Sequence, residues 1–283
     1  MQDHRIKTPA GYSIQLIKYQ ANHKTKGAFV LSSATGVLQL YYSSFATFLS
    51  KQGYTVYTFD YFGIGDSSGT PEQLKRNTVN LSDWAKNDQA SVVALAKKEH
   101  PNQPVYLITH SIGGQLYGLN PNYHQVAKVL MVASQSGYWK YYEGIHYPKM
   151  WLFWNALIPG LTPVFGYFPA KKLGLFENLP RNMAYEWMRW GKHPSYMKGH
   201  IREEDQYFDK ITSPIKLLSF PRDIYAPIAA ADWLADQFSK ASVVREHIIP
   251  EKIGLPEIGH FGFFRSKFKD SLWKDALNWF EAN

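Results

Sequence analysis

The chain has no cysteine, which excludes disulfides, thiolate zinc sites and cysteine nucleophiles. It also lacks a long apolar run. The longest candidate, 150–164, is broken by Asn155, Pro159, Gly160 and Pro163 and is too short and too interrupted to span a bilayer, so no stable membrane insertion is expected. No apolar stretch follows the mixed-charge start Met1-Gln2-Asp3-His4-Arg5, so no secretory signal is expected and a cytoplasmic location is the default. Basic blocks are missing as well. The formal net charge is +8, but the lysines and arginines are scattered, with only short pairs such as Lys97-Lys98 and Lys171-Lys172, and no nucleic-acid partner is expected. Histidines 4, 23, 100, 124, 146, 193, 200 and 247 show no metal-ligand spacing, so neither a metal nor another cofactor is expected.

What is present is apolar bulk. With 283 residues, 45% hydrophobic and 16% aromatic, the chain can bury one large core and fold alone. Strand-like segments at 12–18, 28–32, 54–59, 105–109, 126–133, 215–220 and 243–249 alternate with helical spacing at 41–52, 81–100, 112–119, 228–238 and 267–280. That alternation predicts an α/β fold: a mostly parallel twisted sheet covered by helices on both faces. One stretch departs from it. Residues 137–210 are dense in aromatics, among them Trp139, Trp151, Trp154 and Trp187, and in prolines. A structureless loop of that length inside a compact domain is improbable, so 137–210 is expected to be a small, mainly helical cap, with 1–136 and 211–283 forming the core.

Three segments carry chemistry. Val105-Tyr106-Leu107-Ile108-Thr109-His110-Ser111-Ile112-Gly113-Gly114 is a buried strand, a sharp turn and a helix start, the setting of a nucleophile elbow. Ser111 is the candidate nucleophile, and the N–H of Ile112, at the helix start, a candidate oxyanion donor. Gly113 meets the need for a small residue two positions after the serine, whereas Thr109 stands where glycine is usual two positions before it. His110 points away from Ser111 and is expected to be a packed or hydrogen-bonded neighbour. Asp223 follows the 215–220 strand in Pro221-Arg222-Asp223-Ile224-Tyr225-Ala226-Pro227, and His260 follows the 243–249 strand in Gly259-His260-Phe261-Gly262. Each alone reads equally well as a cap or turn residue. Together they supply nucleophile, acid and base in the chain order this elbow requires. A histidine that titrates near neutrality takes the serine proton, and the aspartate fixes its tautomer. The second oxyanion N–H is expected from Ser33-Ala34-Thr35-Gly36-Val37: Thr35 as donor, with Gly36 as the alternative and as a backbone contact for substrate.

Ala34-Thr35-Gly36, Gly53-Tyr54-Thr55-Val56, Asp60-Tyr61-Phe62-Gly63-Ile64-Gly65-Asp66-Ser67, the elbow at Ser111, Asp223 with Pro227, and Gly259-His260-Phe261-Gly262 together make the chain resemble the α/β-hydrolase superfamily over nearly its whole length. Within it, the chain is similar to the serine-aminopeptidase and monoglyceride-lipase-like branch, and more narrowly to a bacterial group of predicted α/β hydrolases. The resemblance implies the α/β-hydrolase fold with a Ser111–Asp223–His260 triad. Two positions depart from the branch: Phe62 stands where arginine is common, and Ser33-Ala34 where His-Gly is common.

The aromatics of 137–210 suit an apolar acyl pocket, for which Trp139, Trp151, Trp154 and Trp187 are candidates beside Tyr138. The expected activity is cleavage of a carboxylic ester or thioester of a small or acyl-chain substrate through an acyl-serine intermediate. An aminopeptidase-like amide hydrolase would need a group for a free amino terminus, for which Glu203-Glu204-Asp205 are the candidates. An acyltransferase with a phosphate-bearing carrier would suit the positive charge, and a catalytically silent binding protein would keep the fold without the triad. Should Asp223 prove dispensable, Asp60 is the next acid to test. Oligomeric state has no signature in the sequence.

Overall fold

A computed structural model describes residues 2–282. Its chain order is β1 Gln2–Lys7, β2 Ser13–Tyr19, β3 Ala28–Ser32, α1 Ser43–Lys51, β4 Thr55–Phe59, α2 Pro71–Arg76, α3 Ala90–Glu99, β5 Val105–His110, α4 Ile112–Tyr117 and β6 Lys128–Val132. The insertion follows with α5 His146–Leu152, α6 Ile158–Phe165, β7 Tyr167–Phe168, β8 Leu179–Pro180 and α7 Arg181–Lys192. The chain closes with β9 Ile215–Ser219, α8 Ile228–Asp236, β10 Val243–His247, α9 Gly259–Gly262 and α10 Lys274–Glu281. The main sheet has eight strands in the order β1-β2-β4-β3-β5-β6-β9-β10. β1 and β2 pair antiparallel with their neighbours, and every pairing from β4 to β10 is parallel.

Side-chain alternation explains why the central strands read as unbroken apolar runs. In β3 and β5, Val30 and Leu107 face one core, while Phe29, Leu31 and Ile108 face the other; a parallel strand buried on both faces needs apolar residues at every position. The first core also takes in Trp84, Val92 and Leu234, and continues without a break into Trp154, Met183 and Trp190 of the insertion. The second is closed by Phe45, Phe264, Trp273 and Phe280.

The elements expected from the sequence are found, with four differences. β1 was not anticipated, because its residues are almost all exposed and show no alternation. The expected helix 81–100 is a π-helical turn, Trp84–Gln89, running into α3. The expected helix 267–280 likewise begins as a 3₁₀ turn and a π turn, Ser266–Phe268 and Lys269–Trp273, before α10. α2 was also missed, although Thr70 and Gln73 form a full capping box around Pro71, a signal readable in sequence. Residues 137–210 lie between β6 and β9. They are mainly helical with one two-stranded hairpin, β7–β8, and α5 and α6 are joined by a π turn, Phe153–Leu157.

Candidate active site

Ser111 lies between β5 and α4 with φ 52° and ψ −115°, a conformation that costs a non-glycine residue on the order of 1–3 kcal/mol and persists only where its surroundings enforce it. They do so on both sides. The Ser111 N–H donates to Val132 O at 3.0 Å. A Cβ on Gly113 would come within 2.7 Å of Ser32 O, and one on Gly114 within 2.3 Å of Ser134 Oγ. The two glycines thus let α4 start directly against β3 and the loop after β6. Thr109 fits where glycine is usual because its neighbours are small: its Oγ1 sits 3.5 Å from Ser134 Oγ and would be 2.9 Å from a Gly114 Cβ.

Asp223 and His260 meet, as expected. His260 Nδ1 donates to the Asp223 carboxylate at 2.9 and 3.0 Å, with both side chains buried. Asp223 Oδ1 also accepts the N–H groups of Tyr225 and Ala226 at 2.9 Å each, so the loop before α8 folds around the carboxylate. Pro227 caps α8 directly behind it. His260 is carried on the short turn α9, which Gly259 enters at φ 59°. Among the described residues no hydrogen bond within the chain occupies the Ser111 hydroxyl or the N–H groups of Ile112 and Thr35. Asp60, the reserve acid, is occupied elsewhere: it accepts from the N–H groups of Gln39 and Asp66 at 2.7 and 3.0 Å, and burial pushes its pKa up.

His110 is wholly buried. One ring nitrogen meets Tyr42 Oη at 2.8 Å and the other the backbone O of His260 at 2.9 Å, so it is a hydrogen-bonded neighbour, as expected. Its partners were not legible in the sequence. Neither were Tyr225 and Phe261, whose partly exposed rings lie 5.1 and 5.0 Å from the His260 ring. The available signal was an exposed aromatic close behind each of the two residues in the chain, Tyr225 two positions after Asp223 and Phe261 directly after His260.

The insertion residues separate by environment. Trp154 is fully buried, donates to Gly137 O at 3.1 Å and packs onto Gly191, which makes it a packing residue of the insertion. Trp187 Nε1 donates to Tyr196 Oη at 2.9 Å, and that hydroxyl donates in turn to Gln115 Oε1 on α4 at 2.9 Å. Trp139 packs at a tilt against Tyr147, with ring centroids 4.8 Å apart, and Trp151 is nearly half exposed. Gly36, with φ 63°, is roofed by Phe176 and accepts the Glu177 N–H at 3.2 Å, so the insertion lies over the loop after β3. Two members of the acidic cluster are paired: Asp205 with Lys86 at 2.9 Å and with Arg202, which also pairs with Glu204.

Residues 23–180, more than half of the chain, match the family described as Serine aminopeptidase, S33. The chain belongs to this family. The matched span includes Ser111 and stops before Asp223 and His260. No curated protein sequence matches the chain significantly. Among solved structures, this S33-family chain is similar to a thermostable carboxyl esterase from Bacillus coagulans (12% identity, TM-score 0.69, covering 99% of this chain and 97% of that one). It is also similar to an esterase from Pyrococcus furiosus (14%, 0.65, 99% and 90%) and one from Exiguobacterium antarcticum (13%, 0.62, 98% and 99%). At these identities the likeness shows the fold, which is the α/β-hydrolase fold expected from the sequence.

Proposed function

We propose that this S33-family hydrolase is a serine esterase that cleaves a carboxylic ester or thioester through an acyl-serine intermediate. The observation that carries the reading is the strained Ser111 with an unengaged hydroxyl, together with the buried His260–Asp223 pair on loops that close the same end of the sheet. Ser111 Oγ attacks the acyl carbon while His260 takes its proton at Nε2. Asp223, held by two backbone N–H groups, fixes the Nδ1–H tautomer and stabilises the imidazolium. The N–H groups of Ile112 and Thr35 receive the developing oxyanion. Collapse expels the alcohol or thiol, which leaves with the proton from His260. Water then attacks the acyl-serine with His260 again as base.

In this reading residues 137–210 are a cap over the site. Tyr225 and Phe261, flanking the group that protonates the leaving group, favour an apolar alcohol. Asp205 is paired with Lys86 and Arg202, and Glu204 with Arg202, which weakens the aminopeptidase reading.

The test is hydrolysis of p-nitrophenyl esters from acetate to palmitate by wild type and Ser111→Ala. Serine-dependent turnover with a chain-length optimum is the expected result. Turnover that survives Ser111→Ala removes the proposed nucleophile; serine-dependent cleavage of aminoacyl amides in preference to all the esters makes the protein a peptidase instead.

A further inference from the structure

His110, Tyr42 and Ala34 form a chain of hydrogen bonds whose donors can be assigned without ambiguity. The backbone O of His260 only accepts, so the His110 Nε2 that meets it at 2.9 Å carries the proton. A neutral imidazole with Nε2–H has Nδ1 as acceptor, and it therefore receives the Tyr42 O–H at 2.8 Å. Tyr42 Oη in turn accepts the Ala34 N–H at 2.9 Å. The chain runs from the oxyanion loop, one residue before Thr35, through the residue next to Ser111, to the backbone of His260. Ala34, Tyr42, His110 and His260 are all buried, so no water competes for these groups and an unmade bond would leave a buried polar atom unpaired.

We infer that His110 is a positioning residue that holds the oxyanion loop and the histidine loop in register with the nucleophile. The three limbs of the site come from different strands of the sheet, and the hydrogen bonds of the sheet do not fix the loops beyond the strand ends. Tyr42–His110 does. Burial, followed by the facing His260, keeps the His110 pKa well below the ordinary histidine range, and burial raises that of Tyr42. Both groups thus stay in the neutral forms the chain requires, and His110 adds no positive charge beside the imidazolium that forms on His260.

The inference rests on the proposed use of Ser111 and His260, so its test has one arm that needs no turnover. In wild type, ¹⁵N NMR of the imidazoles shows His110 as the Nε2–H tautomer, and Tyr42→Phe shifts its Nδ1 resonance. A protonated Nδ1 overturns the assignment whether or not the protein is an esterase. In the kinetic arm, Tyr42→Phe and His110→Leu each lower kcat for a p-nitrophenyl ester by about ten- to a hundredfold, the scale expected of a misplacement near 1 Å, while KM stays nearly unchanged. Combined, they lose no more than the worse single variant, because each breaks the same unit. His110→Gln, whose amide can donate to His260 O, recovers part of the loss. Single variants with wild-type kcat but lowered Tm, or losses that multiply, reduce His110 to packing. If His110→Leu does not fold, Tyr42→Phe, which removes one oxygen and keeps the ring, decides.

Discussion

Ser111 shows how much a few residues can carry. Its positive φ is held by neighbours with almost no side chain, so Gly113→Ala, which puts a methyl group within 2.7 Å of Ser32 O, should lower stability by about 1–3 kcal/mol, as overpacking does; urea unfolding measures it, and a neutral result means α4 is free to shift. Asp223→Ala should reduce kcat by about 10⁴-fold and His260→Ala by more, in line with how such residues act as a unit, with stopped-flow or steady-state ester hydrolysis as the readout. At this scale the sequence was most informative where local spacing reports local geometry: Ser111, Gly113, Asp223 and His260 sit in turns whose form is written in adjacent residues. Thr109 was understandable only with Ser134 and Gly114 beside it, and the partners of His110 come from segments 68 and 150 residues away, which no local pattern reveals.

Among the elements, the π-helical turn Trp84–Gln89 has a measurable consequence. It buries Asp88, which accepts from Tyr12 Oη at 2.7 Å and from the Phe62 N–H at 2.8 Å. Burial, with Asp83 adding to it, pushes its pKa up to about 8 from an ordinary value near 3.8. A carboxyl whose pKa is raised by folding binds its proton more tightly in the native state, so its contribution is fully present below the unfolded pKa and is lost as pH rises through the folded one. Stability should therefore decline between about pH 4 and pH 8. Asp88→Asn, neutral throughout and able to serve both partners, should flatten that decline and raise Tm at pH 8; thermal melts across this range check it, and an unchanged slope assigns the effect to another group. The π turns themselves escaped the sequence reading because 81–100 and 267–280 keep a helical apolar stripe, and a single widened turn leaves that pattern nearly intact. β1 escaped because an exposed edge strand has no apolar face to alternate.

Across the whole molecule, the insertion is bolted to the α/β core by buried polar contacts. Glu186 on α7 accepts both the N–H and the hydroxyl of Ser82, at 2.8 and 3.0 Å; Tyr196 reaches Gln115, and the Tyr207 N–H donates to Gly118 O at 2.7 Å. Its own interior is centred on Trp154, so Trp154→Ala should cost about 3–5 kcal/mol in denaturant unfolding and leave the 137–210 region the first to be cut by protease. The core's layout was legible from alternating strand and helix patterns, and the insertion's extent from its aromatic density. Which of its aromatics pack and which face a ligand was not, because both tasks use the same side chains. The central claim is that Ser111, driven by His260 and Asp223, is the nucleophile. A fluorophosphonate probe followed by intact-mass and peptide mapping tests it most directly: one adduct on Ser111, absent in Ser111→Ala and slowed by orders of magnitude in His260→Ala, is the predicted result, whereas an adduct that persists in Ser111→Ala or forms at full speed without His260 contradicts it.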